Sequence, residues 1–281
     1  MPLPAPVHKC PLGGGAMQIS AMHVKETAQK VFWAAINYAL PPRCPLCGMI
    51  VDGDQQFCMK CWSTVEFIGE PGCTTCQLPL PEGALDGDQC APCMAEPPPF
   101  DGVRAFAIYN KASATVATRF KYGRRIGHAK LIAKSLRAKL PVDANDWLYI
   151  PVPLHRSRLW QRGFNQSLLI ARHLAGAVSG EVAGEALVRR RRTKVLRGMS
   201  PKQRAAEVKS VFAIAPSLKD TIKGRKVILV DDVYTTGATA KACSKTLKRA
   251  GADAVLVFCW ARVVPGREQL DLGDWHSDML L

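Results

Sequence analysis

The stretch that most constrains the fold of this chain is residues 226–239, KVILVDDVYTTGAT. Its first part, residues 227–230, is apolar and rich in β-branched side chains, which predicts a buried parallel strand. Asp231 and Asp232 come where that strand should end, and a Thr/Gly turn then leads into a helical pattern that stops at Gly251. The free N–H groups and the dipole of a helix that begins at such a turn favour an anion there.

The two carboxylates would repel a bare phosphate, so they should bind another part of the same ligand, such as ribose hydroxyls or magnesium. This stretch resembles the ribose-phosphate loop of the type I phosphoribosyltransferases, in which two acidic residues precede a Thr-Thr-Gly turn. The resemblance implies that Asp231 and Asp232 are the catalytic pair and hold the 2′- and 3′-hydroxyls of phosphoribosyl pyrophosphate. It implies that the following turn wraps the 5-phosphate through Val233, Tyr234, Thr235, Thr236, Gly237, Ala238 and Thr239.

An acidic pair at a strand end is also typical of a Walker B magnesium site. The chain contains no G-x-x-x-x-G-K-[ST] sequence and no G-x-G-x-x-G sequence, which would accompany the common nucleotide-binding loops. A pocket of the phosphoribosyl type is therefore the favoured interpretation of residues 226–239.

Composition limits the class of protein and its partners. The 281 residues, 48% of them hydrophobic, suffice for one large or two modest domains with a substantial core. The formal net charge of +15 favours polyanionic partners, either nucleic acid or phosphorylated small molecules. No segment has the pattern of a signal peptide, and no apolar run reaches the roughly 18 residues of a membrane span. We therefore expect a cytoplasmic protein without a membrane span.

Eight of the 11 cysteines form four C-x-x-C pairs within residues 44–93. Each pair can direct two thiolates at one ion, and two pairs complete a tetrahedral site, so four pairs predict two zinc ions. All ligand positions are then filled, which predicts structural rather than catalytic zinc. Short hairpins favour sequential pairing, and the spacing also allows a cross-braced arrangement. The predicted ligands are Cys44, Cys47, Cys58, Cys61, Cys73, Cys76, Cys90 and Cys93.

The order of these patterns divides the chain into segments. The segments are a disordered leader (1–21), an N-terminal helix (22–42), a double zinc ribbon (43–96), an α/β domain (100–264) and a C-terminal tail (265–281). Either Met1 or Met22 is the true start, and Pro97–Pro99 is a stiff linker. Strands that alternate with helices predict a parallel sheet covered on both faces, with its ligand at the carboxyl ends of the strands.

A second signature lies in residues 153–166, PLHRSRLWQRGFNQ, which we expect to form a basic loop before a helix. Its R-x-x-x-R-G-F-N-Q part, together with the cysteine pairs and VDDVYTTGAT, resembles the ComF competence proteins. That resemblance implies a double zinc ribbon joined to a type I phosphoribosyltransferase-like domain. It makes Arg156, Arg158 and Arg162 the candidates for binding pyrophosphate or another anion, because guanidinium groups bind phosphate oxygens in pairs.

Two further basic segments are open to more than one interpretation. The turn over residues 121–125 is typical of a solvated surface. The Arg-rich segment over residues 189–194 occupies the place of the loop that closes over the donor in type I enzymes, and its charge is equally suited to a nucleic-acid backbone.

Two functions fit these features. The first is an enzyme that binds magnesium and phosphoribosyl pyrophosphate and displaces pyrophosphate with an unidentified acceptor. The second is a catalytically silent accessory protein whose zinc ribbons and basic loops bind single-stranded DNA. The ComF resemblance connects both with natural transformation, the DNA-uptake machinery and the use of external DNA.

Overall fold

The computed structural model describes residues 41–123, 125–190 and 211–267. The predicted leader, the predicted N-terminal helix up to residue 40, residues 191–194 of the Arg-rich segment and the tail beyond Arg267 lie outside the described residues. Within them, the chain forms two compact cysteine ribbons followed by alternating strands and helices.

The helices and strands have the following bounds. The helices are α1 (Met59–Trp62), α2 (Ala91–Ala95), α3 (Lys111–Tyr122), α4 (His128–Leu136), α5 (Arg156–Arg162), α6 (Gln166–Gly176), α7 (Lys219–Ile222) and α8 (Ala238–Arg249). The strands are β1 (Gly102–Ile108), β2 (Leu148–Pro151), β3 (Glu181–Val182), β4 (Leu187–Arg189), β5 (Phe212–Ile214), β6 (Lys226–Val230), β7 (Val233–Tyr234) and β8 (Ala254–Arg262).

The main sheet is parallel and has the order β1-β8-β6-β2-β3, with β7 paired to the end of β8. β4 and β5 form a separate antiparallel pair. Buried side chains cover both faces. One cluster contains Leu148, Leu229 and Val257, and the opposite cluster contains Tyr149 and Trp260. This confirms the predicted parallel sheet with two covered faces.

The connections around β2 and β6 create a crevice at the carboxyl edge of the sheet. The two strands are neighbours, with Pro151 opposite Val230. From β2 the chain passes through α5 and α6 to β3 on one side, and from β6 it passes through α8 to β8 on the other. α6 packs into one face cluster and α8 into the other. Ligands of open α/β sheets bind where strand connections diverge in this way.

The cysteine ribbons close the outer edge of β1. The N–H groups of Val103 and Ile108 donate to the backbone oxygens of Thr75 and Glu66, both at 2.8 Å. The N–H of Ala105 donates to Gln77 Oε1 at 2.6 Å. An exposed sheet edge can pair with other chains, and these bonds remove that opportunity at β1.

The structure differs from the sequence prediction after β2. Residues 156–162 form helix α5 rather than a loop, although none of its residues is buried. His155 caps the helix through its ring, which accepts the N–H of Ser157 at 3.2 Å, and Gly163 ends it with a φ of 80°. Local capping therefore stabilises a helix that has no apolar face for the core.

Candidate functional site

The two adjacent carboxylates of the predicted site lie at the end of β6. Asp231 Oδ1 accepts the N–H of Asp232 at 2.8 Å, and Asp232 Oδ1 accepts the N–H of Val233 at 2.8 Å. The backbone oxygen of Asp232 accepts the N–H of Trp260 at 2.9 Å. These bonds fix both half-buried carboxylates at the mouth of the crevice.

A lysine from another element forms an ion pair with one of the two carboxylates. Lys121 Nζ, near the end of α3, lies 2.9 Å from Asp232 Oδ2. Burial alone would lower the pKa of Lys121, but the attraction of Asp232 outweighs burial and raises it. The basic turn over residues 121–125 was interpreted as solvated, and for Lys121 that interpretation was wrong. The sequence gives no local signal for this contact, because its partner lies far along the chain.

Asp231 is the more strongly perturbed carboxylate. Burial, and then the negative charge of Asp232, raise its pKa to about 7. The N–H of Asp232 and the charge of Lys121 oppose this shift without cancelling it. A carboxyl group that titrates near neutral pH beside a second carboxylate is suited to a ligand that brings hydroxyl donors or a cation.

The Thr/Gly turn joins the carboxylates to α8. Gly237 has a φ of 73° and immediately precedes the helix. The first internal hydrogen bond of α8 is donated by Lys241 N to Gly237 O at 2.7 Å, so the N–H groups before it face the turn. A Cβ on Gly237 would overlap the hydroxyl of the buried Tyr234. Thr235 and Thr236 are exposed, and Val233, Ala238 and Thr239 are half-buried.

The R-G-F-N-Q segment forms the opposite wall of the crevice. The Asn165 side chain caps α6 by accepting the N–H of Ser167 at 3.0 Å, and its amide donates to the backbone oxygen of Val152 at 3.2 Å. Ser167 Oγ in turn lies 3.5 Å from Asp231 Oδ1. Phe164 packs against Phe120 at 5.8 Å between ring centroids, so it belongs to the core rather than to a base-stacking surface.

The three candidate arginines all lie on α5, but their contacts differ. Arg162 donates to the hydroxyl of Tyr122 at 3.2 Å and stacks over its ring. It also acts electrostatically on Lys121, which places it near the carboxylates. Arg158 is exposed, and its positive charge adds to burial in lowering the pKa of Arg189. Arg156 is exposed at the start of the helix.

The eight predicted cysteine ligands form two groups in sequential pairs, 44/47/58/61 and 73/76/90/93. In each group the four Sγ atoms lie within 4.8 Å of one another. Cys47 and Cys58 are 3.6 Å apart at sulfur, as are Cys76 and Cys90. Zn–S bonds of about 2.3 Å in a tetrahedron give sulfur separations of about 3.8 Å. Both groups therefore fit one zinc ion each, and the cross-braced alternative is excluded.

The acidity of the thiols also fits a metal. Burial would raise the pKa of Cys44, but N–H groups of the surrounding knuckles lower it to about 6. Hydrogen bonds from neighbouring N–H groups likewise lower the pKa of Cys73 to about 7 against the effect of burial. Burial and the neighbouring cysteines raise the pKa of Cys61 and Cys93, because several thiolates cannot share a site without a cation. A dication resolves this conflict.

Comparison with known proteins agrees with this arrangement. Residues 35–99 match the family model described as a double zinc ribbon domain. The DNA utilization protein YhgH of Escherichia coli strain K12 is 31% identical over 232 residues, which cover 80% of this chain and 99% of YhgH. The chain belongs to the ComF family. Competence protein F of Haemophilus influenzae is 29% identical over 226 residues, 73% of this chain and 96% of that protein. Competence protein ComFC of Streptococcus pneumoniae is 29% identical over 235 residues, which cover 78% of this chain and 100% of ComFC.

Family membership and the crevice with its acidic pair and Thr-Thr-Gly turn confirm the predicted type I phosphoribosyltransferase-like fold preceded by a double zinc ribbon. Among solved structures, the glutamine phosphoribosylpyrophosphate amidotransferase from B. subtilis is 19% identical, with a TM-score of 0.31 over 52% of this chain and 26% of that chain. No helix of the described residues is long and apolar enough to cross a membrane.

Proposed function

We propose that the crevice between β2 and β6 binds phosphoribosyl pyrophosphate with magnesium, and that this pocket serves DNA uptake or the use of external DNA. The observation that carries the proposal is the position of the acidic pair and the Thr/Gly turn at the point where the strand connections diverge. The ComF relatives named for competence and DNA utilization support the biological context.

Each part of this ligand has a counterpart in the crevice. The N–H groups that open α8, with Thr235, Thr236 and Thr239, suit the 5-phosphate. Asp231 and Asp232 suit the ribose hydroxyls, and Lys121 forms an ion pair with Asp232. Arg158 and Arg162 suit the pyrophosphate as paired guanidinium donors. Asp231 and Asp232 would also hold magnesium, which would supply positive charge to the leaving pyrophosphate.

Such a pocket supports pentosyl transfer. An acceptor nucleophile forms a bond to the anomeric carbon, and the bond from that carbon to pyrophosphate breaks with its electron pair leaving on the pyrophosphate. Positioning and charge stabilisation dominate this chemistry, so a protein-side acid or base is not required. The acceptor is left open.

Calorimetric titration of magnesium and phosphoribosyl pyrophosphate into the zinc-loaded full chain tests the proposal. We expect magnesium-dependent binding to the wild type and binding about tenfold weaker or worse in Asp231→Asn/Asp232→Asn. Asp143→Asn/Asp146→Asn is the matched control, because it removes two carboxylates at the 3₁₀ turn before β2, at the opposite end of that strand from the crevice. The proposal is wrong if the wild type shows no binding at millimolar donor.

A second candidate function is binding of single-stranded nucleic acid, and helix α5 is the observation that favours it. α5 has no buried residue, and the side chain of Trp160 is 90% exposed. Arg156, Arg158 and Arg162 share this helix, and α5 contains no acidic residue. Exposed aromatic rings among arginines are typical of surfaces that stack bases and follow a phosphate backbone.

Fluorescence anisotropy with a labelled oligothymidine tests this second function across a range of salt concentrations. Trp160→Ala should weaken binding about tenfold, since stacking on one base contributes about 1–3 kcal/mol, and Trp160→Phe should retain most of it. Arg156→Gln should reduce the dependence on salt by about one phosphate contact. Equal affinity of the wild type and Trp160→Ala would rule out α5 as the binding surface.

A further inference from the structure

Arg262, the last residue of β8, is a buried cation that has no carboxylate partner in the part of the chain that the structure describes. Its side chain is 5% exposed. Among the described residues no Asp or Glu lies within ion-pair distance of its guanidinium, and its Nε has no hydrogen-bond partner. An isolated buried charge is strongly unfavourable, so a counter-charge of another kind is needed.

The second cysteine group provides that counter-charge. Arg262 Nη1 donates a hydrogen bond to the backbone oxygen of Cys76, and the two side chains interact electrostatically. One zinc dication bound by four thiolates leaves two net negative charges. A zinc-thiolate centre at residues 73/76/90/93 would therefore supply the negative charge that balances Arg262.

The other side of the guanidinium contacts the turn of the candidate site. Its carbon atom lies 5.1 Å from the centroid of the Tyr234 ring. Tyr234 pairs with Arg262 in the sheet, and its backbone oxygen accepts the N–H of Val263 at 2.9 Å. The ring also meets Phe100 edge-on at 6.2 Å. Its hydroxyl occupies the space where a Cβ on Gly237 would stand, so the Tyr234 side chain packs directly against the turn.

We propose that Arg262 is a positioning residue that couples the second zinc site to the Thr/Gly turn. The zinc-thiolate centre fixes the guanidinium, the guanidinium fixes the Tyr234 ring, and the ring supports Gly237 where α8 begins. Zinc at residues 73/76/90/93 then orders the turn, and a ligand in the turn slows release of that zinc, since coupling between two sites is reciprocal. Only the ligand-binding consequence rests on the proposed function.

The first zinc site offers a matched comparison. Arg119 Nη1 donates to the backbone oxygens of Pro45 and Leu46 at 2.7 and 2.8 Å, inside the first knuckle, just as Arg262 does at Cys76 in the second. Arg119 lies on α3 and has no contact with Tyr234 among the described residues. Replacing it removes an arginine from a zinc knuckle without removing support from the turn.

The test uses the zinc-loaded full chain and three variants: Arg262→Met, Arg262→Lys and Arg119→Met. Zinc release to a chromogenic chelator and hydrogen–deuterium exchange of residues 235–240 are measured for each. In Arg262→Met we expect one of the two zinc ions to leave about fivefold faster or more, and exchange of the turn to accelerate by a similar factor. Arg262→Lys, which keeps the charge without the planar fork, should lie between wild type and Arg262→Met. Arg119→Met should accelerate zinc release alone.

The proposal is overturned if Arg262→Met leaves zinc release or exchange of the turn within about twofold of wild type. It is also overturned if Arg119→Met accelerates exchange of the turn equally. Should Arg262→Met fail to fold, Tyr234→Leu decides: faster exchange of the turn together with faster release of one zinc ion supports the coupling, and faster exchange with unchanged zinc release refutes it. Neither measurement requires donor binding, so failure of the proposed function leaves this test intact.

Discussion

At the scale of single residues, Asp231 makes the fold less stable as pH rises, and Lys121 reduces this loss of stability. The folded-state pKa of Asp231, about 7, lies above its ordinary value of 3.8. The folded state therefore holds a proton that the unfolded state has released, and stability falls as pH rises between these two values. Lys121 limits the effect, because its charge favours the ionised carboxylates. Such a pair is a typical compromise of a binding site between function and stability.

Asp231→Asn should raise the free energy of unfolding, because the amide cannot ionise in the buried site. The gain should be about 1 kcal/mol larger at about pH 8.5 than at about pH 6, since the wild type continues to lose stability up to its pKa near 7. Chemical denaturation at both pH values measures it. Asp143→Asn is the control. Because Lys226 lowers the pKa of Asp143, this substitution should lower the free energy of unfolding, and by the same amount at both pH values. A gain that does not grow with pH would contradict the prediction.

Lys121→Met should shift the pH dependence of donor binding upward. Lys121 lowers the pKa of Asp231, so its removal keeps that carboxyl protonated to a higher pH. Because ionised carboxylates accept stronger hydrogen bonds from hydroxyls, the pH of half-maximal affinity should rise by about one unit. Titrations between about pH 6 and pH 9 measure the shift. Lys226→Met, which breaks an exposed ion pair with Asp143, should leave the profile unchanged.

At the scale of elements, the Thr/Gly turn requires glycine for two separate reasons. Gly237 has a positive φ, and its Cα faces the Tyr234 hydroxyl. Gly224, just before β6, has a φ of 72° and nothing within 4 Å of an added Cβ, so it shares only the first reason. Comparing alanine substitutions at Gly224 and Gly237 therefore separates the cost of backbone strain from the cost of steric overlap.

Gly224→Ala should cost about 1 kcal/mol of stability, the typical penalty of a left-handed conformation. Gly237→Ala should cost clearly more, because the buried Tyr234 ring cannot move aside, and should weaken donor binding at least about tenfold. Thermal unfolding and calorimetry measure the two effects. Equal losses of stability in the two variants would show that the Tyr234 side chain shifts to accommodate the added Cβ and does not hold the turn rigidly.

The elements that the sequence predicted correctly are those with local patterns. The apolar run of β6 and the helix that follows the Thr/Gly turn are contained in short stretches. Helix α5 was missed because a helix without a buried residue has no hydrophobic period that the sequence could reveal. Lys121 and Arg262 were missed for another reason: their partners are distant in sequence, and only the folded sheet brings them together.

At the scale of the whole molecule, the zinc ribbons are part of the core of the sheet. The second group joins the cluster that contains Val103 and Ala105. The first ribbon packs Leu46 and Phe57 against the opposite face, where Phe57 stacks on Trp260 at 6.4 Å. The sequence predicted that zinc has a structural role in the ribbon. The structure shows that it also shares the core of the sheet, which makes the two halves interdependent.

Removal of zinc should therefore unfold the sheet as well as the ribbons. We expect elemental analysis to find two zinc ions per chain, one ion in Cys44→Ser or Cys73→Ser, and two in Cys243→Ala, whose buried thiol belongs to neither group. With a strong chelator, thermal unfolding followed at the buried tryptophans should move to lower temperature by at least about 5 °C, because shared packing is lost on both faces of the sheet. An unchanged transition after complete zinc removal would mean that the sheet folds independently and that the ribbons only cover its edge.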